Sequence, residues 1–229
     1  MGSQQSARWS AVLFDLDGTL VDTRPGVRAA ITAAFTEVTG ADVPAGQADL
    51  SLPLDEMIVS AAPAASCELR EQLSTAFRRA YDSSFWSSVR LYPGAEACLR
   101  DLQHAGVRVF VVTNKRDSAA RRLLEHVRLA CYLDGVVGQP DKGSPLSKAE
   151  LAGRCLADAG LDPRRTVVVG DSSLDAAMAA SWNMPFIAVT SGAGPLVPPV
   201  TDEIRLEAAT LADAAATILP GSQGGTREP

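Results

Sequence analysis

Two aspartates lie close together near the start of the chain, in the sequence Asp15-Leu-Asp-Gly-Thr19. Carboxylates at this spacing repel each other, so at neutral pH Asp15 and Asp17 favour a nearby cation or a shared proton. Asp171 supplies a third carboxylate, and Asp175 follows it. Mg²⁺ binds through a few carboxylates together with phosphate oxygens and water. The pattern therefore predicts a magnesium site at Asp15, Asp17 and Asp171, whereas Asp-Gly taken alone is an ordinary turn signal.

A lysine and a strand-end threonine could complete an anion site beside these carboxylates. Ser147-Lys-Ala-Glu150 fits a capping box, which puts Lys148 at the first position of a helix. The helix dipole disfavours a cation there by about 0.3–1 kcal/mol, so a bound anion or clustered carboxylates should compensate. Lys142 is the rival lysine, in a loop rich in glycine and proline. Thr113 and Asn114 can offer a hydroxyl and backbone N–H groups to phosphate oxygens.

The elements that must position these groups are apolar runs alternating with amphipathic helical patterns. The runs rich in strand formers are residues 11–14, 107–113, 133–137, 166–170 and 186–189. Near-continuous apolar runs are typical of strands buried on both faces of a parallel sheet. The alternation predicts an α/β fold with a doubly wound, Rossmann-like parallel sheet. Because sites in such sheets lie beyond the carboxyl ends of the strands, we expect the polar groups that follow the runs to meet there.

The segment 23–90 interrupts this alternation, because it contains helical patterns and no convincing strand. The patterns are Val27–Thr39, Leu54–Ala61 and Cys67–Ser84. A plain crossover between neighbouring strands needs far fewer residues. We therefore predict an α/β core from residues 1–22 and 91–220, an inserted all-helical cap at 23–90, and a disordered Gly-rich tail at 221–229.

Composition narrows the classes of partner. The chain has 229 residues, 46% of them apolar, and a formal net charge of −6. The absence of a basic patch argues against nucleic acid, and no apolar run approaches the ~20 residues of a membrane span. The N-terminus lacks the apolar region of a secretory signal, and the four cysteines form no metal-binding spacing. We predict a soluble cytoplasmic protein, with its oligomeric state left open.

Four segments taken together resemble the motifs of the haloacid-dehalogenase-like hydrolase superfamily. In chain order they are Asp15-Leu-Asp-Gly-Thr-Leu20, Val111-Val-Thr-Asn-Lys115, Lys148, and Val169-Gly-Asp-Ser-Ser-Leu-Asp175. The resemblance covers roughly residues 10–195, and the position of the helical insert is similar to that of the phosphoglycolate-phosphatase-like branch. One departure weakens phosphoglycolate itself as the expected substrate. The lysine motif lacks the Lys-Pro pair that is common in phosphoglycolate phosphatases.

The resemblance implies a phosphatase that acts through an aspartyl-phosphate. Asp15 would be the nucleophile, and Asp17 would protonate the leaving oxygen and then activate water, supported by Thr19. Mg²⁺ would be held by Asp15, the backbone carbonyl of Asp17, and Asp171. The cap would close over the site and exclude water.

Phosphate oxygens would be held by residues of the second and third motifs. The resemblance assigns this role to Thr113, Asn114 and Lys148, and it makes Asp175 a supporting residue of the metal site. The expected substrate is a small phosphorylated metabolite.

Two other functions remain open for such a scaffold. One is phosphoryl transfer to another hydroxyl, as in a sugar-phosphate mutase, although the segment Arg24-Pro-Gly-Val-Arg28 lacks the histidine of mutases of this branch. Dehalogenase and phosphonatase activities are not expected, because those members of the superfamily lack the second aspartate, which is present here as Asp17. The other is a noncatalytic phospho-ligand-binding protein, for which both aspartates would be unnecessary.

Overall fold

The structure, a computed structural model, describes residues 8–41, 48–50, 52, 54–84, 88–190 and 205–219. The chain divides into two compact units, one made of Thr23–Arg90 and the other of the residues on either side of that segment. We call them the helical unit and the α/β unit. The predicted disorder of residues 221–229 concerns a segment outside the described residues.

Parallel strands form the sheet at the centre of the α/β unit. The strands of the described residues are β1 (Ala11–Phe14), β2 (Val21–Asp22), β3 (Arg90–Leu91), β4 (Arg108–Arg116), β5 (Gly135–Gln139), β6 (Thr166–Gly170), β7 (Phe186–Val189) and β8 (Arg205–Ala208). Six of them make one sheet in the order β5-β4-β1-β6-β7-β8, and β2 pairs with β3 separately. All recorded pairings within the larger sheet are parallel, which confirms the predicted α/β fold class.

The burial of the central strands explains why their sequences are apolar throughout. Every residue of β1 and of β6 is buried. In the register, Phe14 lies beside Val111 of β4 on one side and beside Val169 of β6 on the other. A strand covered on both faces has no position for a solvated side chain, so it lacks the polar–apolar alternation of a half-exposed strand.

Helices connect the strands of the sheet and make up the described part of the insert. In chain order they are α1 (Arg24–Thr39), α2 (Leu54–Ala61), α3 (Cys67–Ser84), α4 (Ala95–His104), α5 (Asp117–His126), α6 (Lys148–Ala159), α7 (Ser173–Ser181) and α8 (Leu211–Ile218). Helix α1 begins three residues earlier than the pattern predicted, because Pro25 suits the first turn, where a missing N–H costs nothing.

The helical unit has an apolar core of its own between α1 and α3. Ile31 and Phe35 of α1 are buried, as are Leu73 and Phe77 of α3. Helix α1 ends at Gly40, whose φ of 71° is the left-handed conformation that closes many helices. None of the helices in the described part of the chain is both long and apolar enough to span a bilayer.

Candidate active site

The carboxyl edge of the sheet brings the predicted acidic residues together. Asp15 directly follows β1, and Asp171 directly follows the neighbouring strand β6. The backbone N–H of Asp15 donates to the carbonyl of Val169 at 2.9 Å, which continues the strand pairing one residue past the end of β1. Asp15, Asp171 and Asp175 each have a carboxylate oxygen, and these oxygens all lie within 4.8 Å of one another. We call these three residues the acidic cluster.

Lys148 lies inside the acidic cluster. Its Nζ is 2.5 Å from Asp15 Oδ1 and 2.6 Å from Asp175 Oδ1, and its side chain is only 6% exposed. The predicted capping box is present: Ser147 accepts from the Glu150 N–H and donates its own N–H to the Glu150 carboxylate. Lys148 is therefore the first residue of α6, and the cluster supplies the negative charge that offsets the helix dipole there.

A second capping box fixes Asp175. It is the third residue of α7, and its Oδ2 accepts from the backbone N–H of Ser172 at 3.0 Å and from the Ser172 hydroxyl at 2.5 Å. The same carboxylate therefore closes the start of α7 with one oxygen and contacts Lys148 with the other. This double role explains why Asp175 is fully buried.

Two glycines leave the space that the acidic cluster occupies. Gly18 has a φ of +96°, and a Cβ there would lie 2.8 Å from Asp171 Oδ1. A Cβ at Gly170 would lie 2.6 Å from Asp175 Oδ2. Side chains at these positions would displace the carboxylates, and at Gly18 the backbone conformation itself is strained for any other residue.

Burial and mutual repulsion disturb the titration of the cluster. Burial raises the pKa of Asp15 well above its ordinary value, Lys148 lowers it, and the charges of Asp175 and Asp171 raise it again. Burial and the charge of Asp175 raise the pKa of Asp171 to about 6, although the Thr19 hydrogen bond lowers it. Burial alone would lower the pKa of Lys148, but Asp15 and Asp175 outweigh burial and raise it.

The charges of the site do not balance. Three buried or half-buried carboxylates surround one ammonium group, so two negative charges are uncompensated when all four groups are ionised. A divalent cation would supply the missing charge, and oxygen ligands are those that hard divalent cations prefer. The acidic cluster could therefore hold such a cation. Asp15 and Asp171 are two of the residues that the sequence predicts as its ligands, and Asp175, predicted to support the site, supplies the third carboxylate of the cluster.

Asp17 lies beside the acidic cluster in the chain, but its side chain has a different partner. Its Oδ2 is 3.2 Å from Lys115 Nζ, and its side chain is about one third exposed, at 32%. The Thr19 hydroxyl, predicted to support Asp17, donates to Asp171 Oδ1 at 2.8 Å. The two aspartates of the first motif thus have different surroundings, since Asp15 is buried beside Lys148 and Asp17 is partly exposed beside Lys115.

The predicted phosphate-binding residues of β4 are ordered by local hydrogen bonds. Thr113 is 1% exposed, and its hydroxyl accepts from the backbone N–H of Lys115 at 3.1 Å. Asn114 Oδ1 accepts from the amide of Gln139 at 3.3 Å. Within the described part of the chain, no hydrogen bond is recorded from either residue to the acidic cluster. Lys142, the rival of Lys148, is exposed.

Three residues with no role predicted from the sequence contact predicted site residues: Lys115, Gln139 and Ser172. Ser172 could have been found, since Ser172 and Asp175 have the spacing of a capping box. Lys115 directly follows Thr113-Asn114, and its positive charge next to two predicted phosphate-binding residues could have indicated a role at the site. The contact of Gln139 joins strands at their ends, and no local pattern in the sequence indicates it.

The profile of the haloacid dehalogenase-like hydrolase family matches residues 12–189. The chain belongs to this family. Residues 12–189 include all four motifs from which the resemblance was predicted, from Asp15 to Asp175.

Two groups of relatives resemble this haloacid dehalogenase-like hydrolase in sequence. The tyrosine-protein kinase PtkA of Mycobacterium tuberculosis is 33% identical over 183 residues, which are 80% of this chain and 62% of PtkA. The chain therefore spans less than two thirds of the length of PtkA. A phosphoglycolate phosphatase of Cereibacter sphaeroides is 29% identical over 187 residues, which are 79% of this chain and 85% of that enzyme.

Solved structures agree with the family. The structure of M. tuberculosis PtkA has a TM-score of 0.74 at 30% identity and covers 93% of this chain and 99% of the PtkA chain in that structure. A predicted phosphatase from Clostridium acetobutylicum has a TM-score of 0.71 at 26% identity, with 80% of this chain and 86% of the other covered. The predicted membership in the phosphoglycolate-phosphatase-like branch is confirmed.

Addition of Mg²⁺ is expected to raise the melting temperature of the protein at about pH 8, and this effect should be lost as pH falls through about 6. A bound cation must compete with protons for Asp171, whose raised pKa leaves it protonated below that pH. In the metal-free protein, the effect of pH on stability has the opposite sign. Asp171 binds more protons folded than unfolded between about 3.8 and 6, so its contribution to the unfolding free energy falls as pH rises through that window.

A matched pair of variants tests whether the cation binds at the acidic cluster. Asp175 and Asp213 both occupy the third helical position of a capping box, in α7 and α8 respectively. Asp175→Asn should weaken cation binding by about tenfold or more, measured by calorimetry, while Asp213→Asn should leave it unchanged. Equal effects of the two variants on cation binding would mean that the cation binds elsewhere. A rise in melting temperature with Mg²⁺ that does not depend on pH would mean the same.

Proposed function

We propose that this protein is a magnesium-dependent phosphatase that hydrolyses a small phosphomonoester through an aspartyl-phosphate at Asp15. The observation that carries the proposal is the buried contact of Lys148 with Asp15 inside a group of carboxylates whose negative charge exceeds the positive charge. A nucleophilic carboxylate, a cationic phosphate ligand and a place for a divalent cation are the parts that phosphoryl transfer to a carboxylate requires. The sequence relatives named as phosphoglycolate phosphatases support this reaction class.

The first step needs a carboxylate oxygen of Asp15 to attack phosphorus. Lys148 holds Asp15 Oδ1 at 2.5 Å, which leaves Oδ2 as the attacking atom and fixes the direction of the carboxylate. A new bond forms between Oδ2 and phosphorus as the bond to the leaving oxygen breaks, and Asp17 gives that oxygen its proton. The lysine ammonium also stabilises the negative charge on the phosphoryl oxygens. When bound, Mg²⁺ would neutralise charge between the carboxylate and the phosphoryl group.

The second step releases phosphate and restores Asp15. Asp17, now a carboxylate, takes a proton from water as the water oxygen bonds to phosphorus and the bond to Asp15 breaks. The contact of Asp17 with Lys115 holds one oxygen of the Asp17 carboxyl group in place. Thr113, Asn114 and Lys148 would hold phosphate oxygens in both steps.

The division of labour between the two units belongs to the same proposal. The α/β unit carries every residue with a role in the two steps, and we assign the helical unit, Thr23–Arg90, the role of a cap that excludes water and selects the substrate. The physiological substrate class is a small phosphorylated metabolite in the cytoplasm. A panel of such metabolites that includes 2-phosphoglycolate, with released phosphate as the signal, identifies the preferred leaving group.

A second candidate is phosphoryl transfer to an acceptor hydroxyl other than water. It is favoured by the similarity to PtkA, which is named a tyrosine-protein kinase and is 33% identical over 183 residues. The aspartyl-phosphate would serve both reactions, since they differ only in the hydroxyl that attacks it in the second step. A noncatalytic phospho-ligand-binding protein is the third candidate, but such a protein has no use for Asp17 beside Asp15.

Product analysis separates hydrolysis from transfer. With an aryl phosphate as donor and tyrosine-containing peptides or sugars as acceptors, we expect inorganic phosphate to account for all of the donor consumed, because Asp17 is assigned to activate water and no residue of the two steps is assigned to an acceptor hydroxyl. A phosphorylated acceptor detected by mass spectrometry would favour the transferase. The same assay with ATP as donor tests the kinase reaction directly, and wild-type protein without any turnover would favour the binding protein.

Asp15→Asn is expected to abolish hydrolysis of p-nitrophenyl phosphate, lowering kcat by at least about a thousandfold, because the amide is a poor nucleophile. The control is Asp101→Asn, since Asp101 is exposed on α4 and contacts Arg100. Circular dichroism should give the same folded spectrum for both variants. Appreciable turnover by folded Asp15→Asn protein would remove the nucleophile assignment.

Lys148→Met should lower kcat/KM for the same substrate far more than Lys142→Met. The methionine keeps most of the volume of the lysine side chain but removes the ammonium that contacts Asp15 and Asp175. Breaking a buried ion pair also lowers the free energy of unfolding, typically by about 3–5 kcal/mol, so activity is to be compared where both variants are folded. The opposite order of effects would transfer the role to Lys142.

A further inference from the structure

The side chain of Gln139 connects two separate segments at the carboxyl edge of the sheet. Gln139 is the last residue of β5. Its Nε2 donates to the carbonyl of Leu146 at 2.7 Å, and its Oε1 accepts from the N–H of the same residue at 2.8 Å. Its Nε2 also donates to Asn114 Oδ1 at 3.3 Å. The amide thus uses both of its N–H donors and its oxygen in contacts with two segments.

The contacts with Leu146 set the position where α6 begins. The amide pairs with both backbone groups of Leu146, as a residue on a neighbouring strand would. Leu146 immediately precedes Ser147, the capping residue of α6, and Lys148 follows. Residues 140–145 between the two partners form no helix or strand, so Gln139 closes a short loop by holding its end. Without this contact, the loop would gain conformational freedom and the first turn of α6 would lose its fixed entry point.

The contact with Asn114 acts on the other segment. Gln139 holds the oxygen end of the Asn114 amide, so the NH₂ end of that amide points away from Gln139. Asn114 follows Thr113 in β4, in the segment predicted to bind phosphate. An asparagine with its carbonyl oxygen occupied has a single amide orientation and presents its donors in one direction.

We propose that Gln139 is a positioning residue that couples Asn114 to Lys148, so that both phosphate-binding groups are in place at the same time. The proposal rests on the phosphate-binding roles given to Asn114 and Lys148 in the proposed function. Gln139 itself touches no reacting atom. Its effect comes from the orientation of Asn114 and from the start of α6, and misplacement of catalytic groups by about 1 Å can cost as much as a hundredfold in rate.

A double-mutant cycle between Gln139 and Asn114 tests this coupling. We expect Gln139→Ala to lower kcat/KM for p-nitrophenyl phosphate by about ten- to a hundredfold, and to raise the Kd of inorganic phosphate in the same direction. With Asn114→Ala already present, Gln139→Ala should have a smaller effect, so the double variant should lose at least about threefold less than the product of the two single effects. If the effects of Gln139→Ala and Asn114→Ala simply multiply in the double variant, the proposed coupling is wrong.

An isosteric variant and a matched glutamine separate positioning from general stability. Gln139→Glu keeps the size of the side chain but removes the N–H donors, so it should lose as much activity as Gln139→Ala. The Gln103 side-chain amide likewise donates to a backbone carbonyl, that of Cys131 at 3.1 Å, away from the site. Gln103→Ala should change kcat/KM and phosphate binding by less than about twofold. Wild-type activity in Gln139→Glu would refute the need for the donors.

Hydrogen exchange in the unmodified protein gives a test that needs neither activity nor a stable variant. The Leu146 amide should be protected from exchange because it donates to Gln139, whereas the amides of Gly143 and Ser144 in the exposed loop should exchange quickly. Equally fast exchange at Leu146 would overturn the proposal. Lack of any wild-type turnover would refute the proposed function alone, and exchange and phosphate binding would still decide the role of Gln139.

Discussion

The buried contact of one ammonium group with two carboxylates is the interaction on which the rest of the structure depends. Lys148 lies between Asp15 and Asp175, and Asp171 adds a further negative charge nearby. Removing charged groups from water is costly, and an ion pair returns that cost only where geometry and hydrogen bonding are favourable. A protein selected for stability alone would replace the cluster with apolar side chains. Its presence in the described core supports the proposal that the excess negative charge binds a divalent cation.

The elements around the cluster can be understood as the support that holds these charges together. Parallel strands β1 and β6 end side by side, which brings Asp15 and Asp171 to one edge without any long loop. Two capping boxes then fix the remaining members, because Lys148 and Asp175 lie in the first turns of α6 and α7. Each cap satisfies backbone N–H groups that the helix leaves unpaired, so the same hydrogen bonds that start the helices also set the directions of the charged side chains.

The sequence predicted most of this arrangement because most of it is encoded locally. Continuous apolar runs marked the buried strands, and the capping box placed Lys148 at the start of its helix. Strand β8 was missed because its sequence, Arg-Leu-Glu-Ala, is that of an edge strand, with Leu206 partly exposed and Ala208 buried. The contacts of Lys115 with Asp17 and of Gln139 with Asn114 and Leu146 were also missed. These contacts depend on how strand ends meet in three dimensions, and no periodicity or spacing expresses them.

In the proposed mechanism, the different surroundings of Asp15 and Asp17 let one short motif supply two kinds of chemistry. Asp15 is buried, and Lys148 fixes one of its oxygens, so it suits attack along a single direction. Asp17 is partly exposed and lies beside Lys115, where it can exchange protons with water or with a leaving oxygen. None of these groups is proposed to distinguish one alcohol from another, since all of them would act on the phosphoryl group or on the proton of its leaving oxygen. On this proposal, selection among substrates, and between water and another acceptor, comes from residues outside the four motifs, and the relatives of this chain bear the names of a phosphatase and of a kinase.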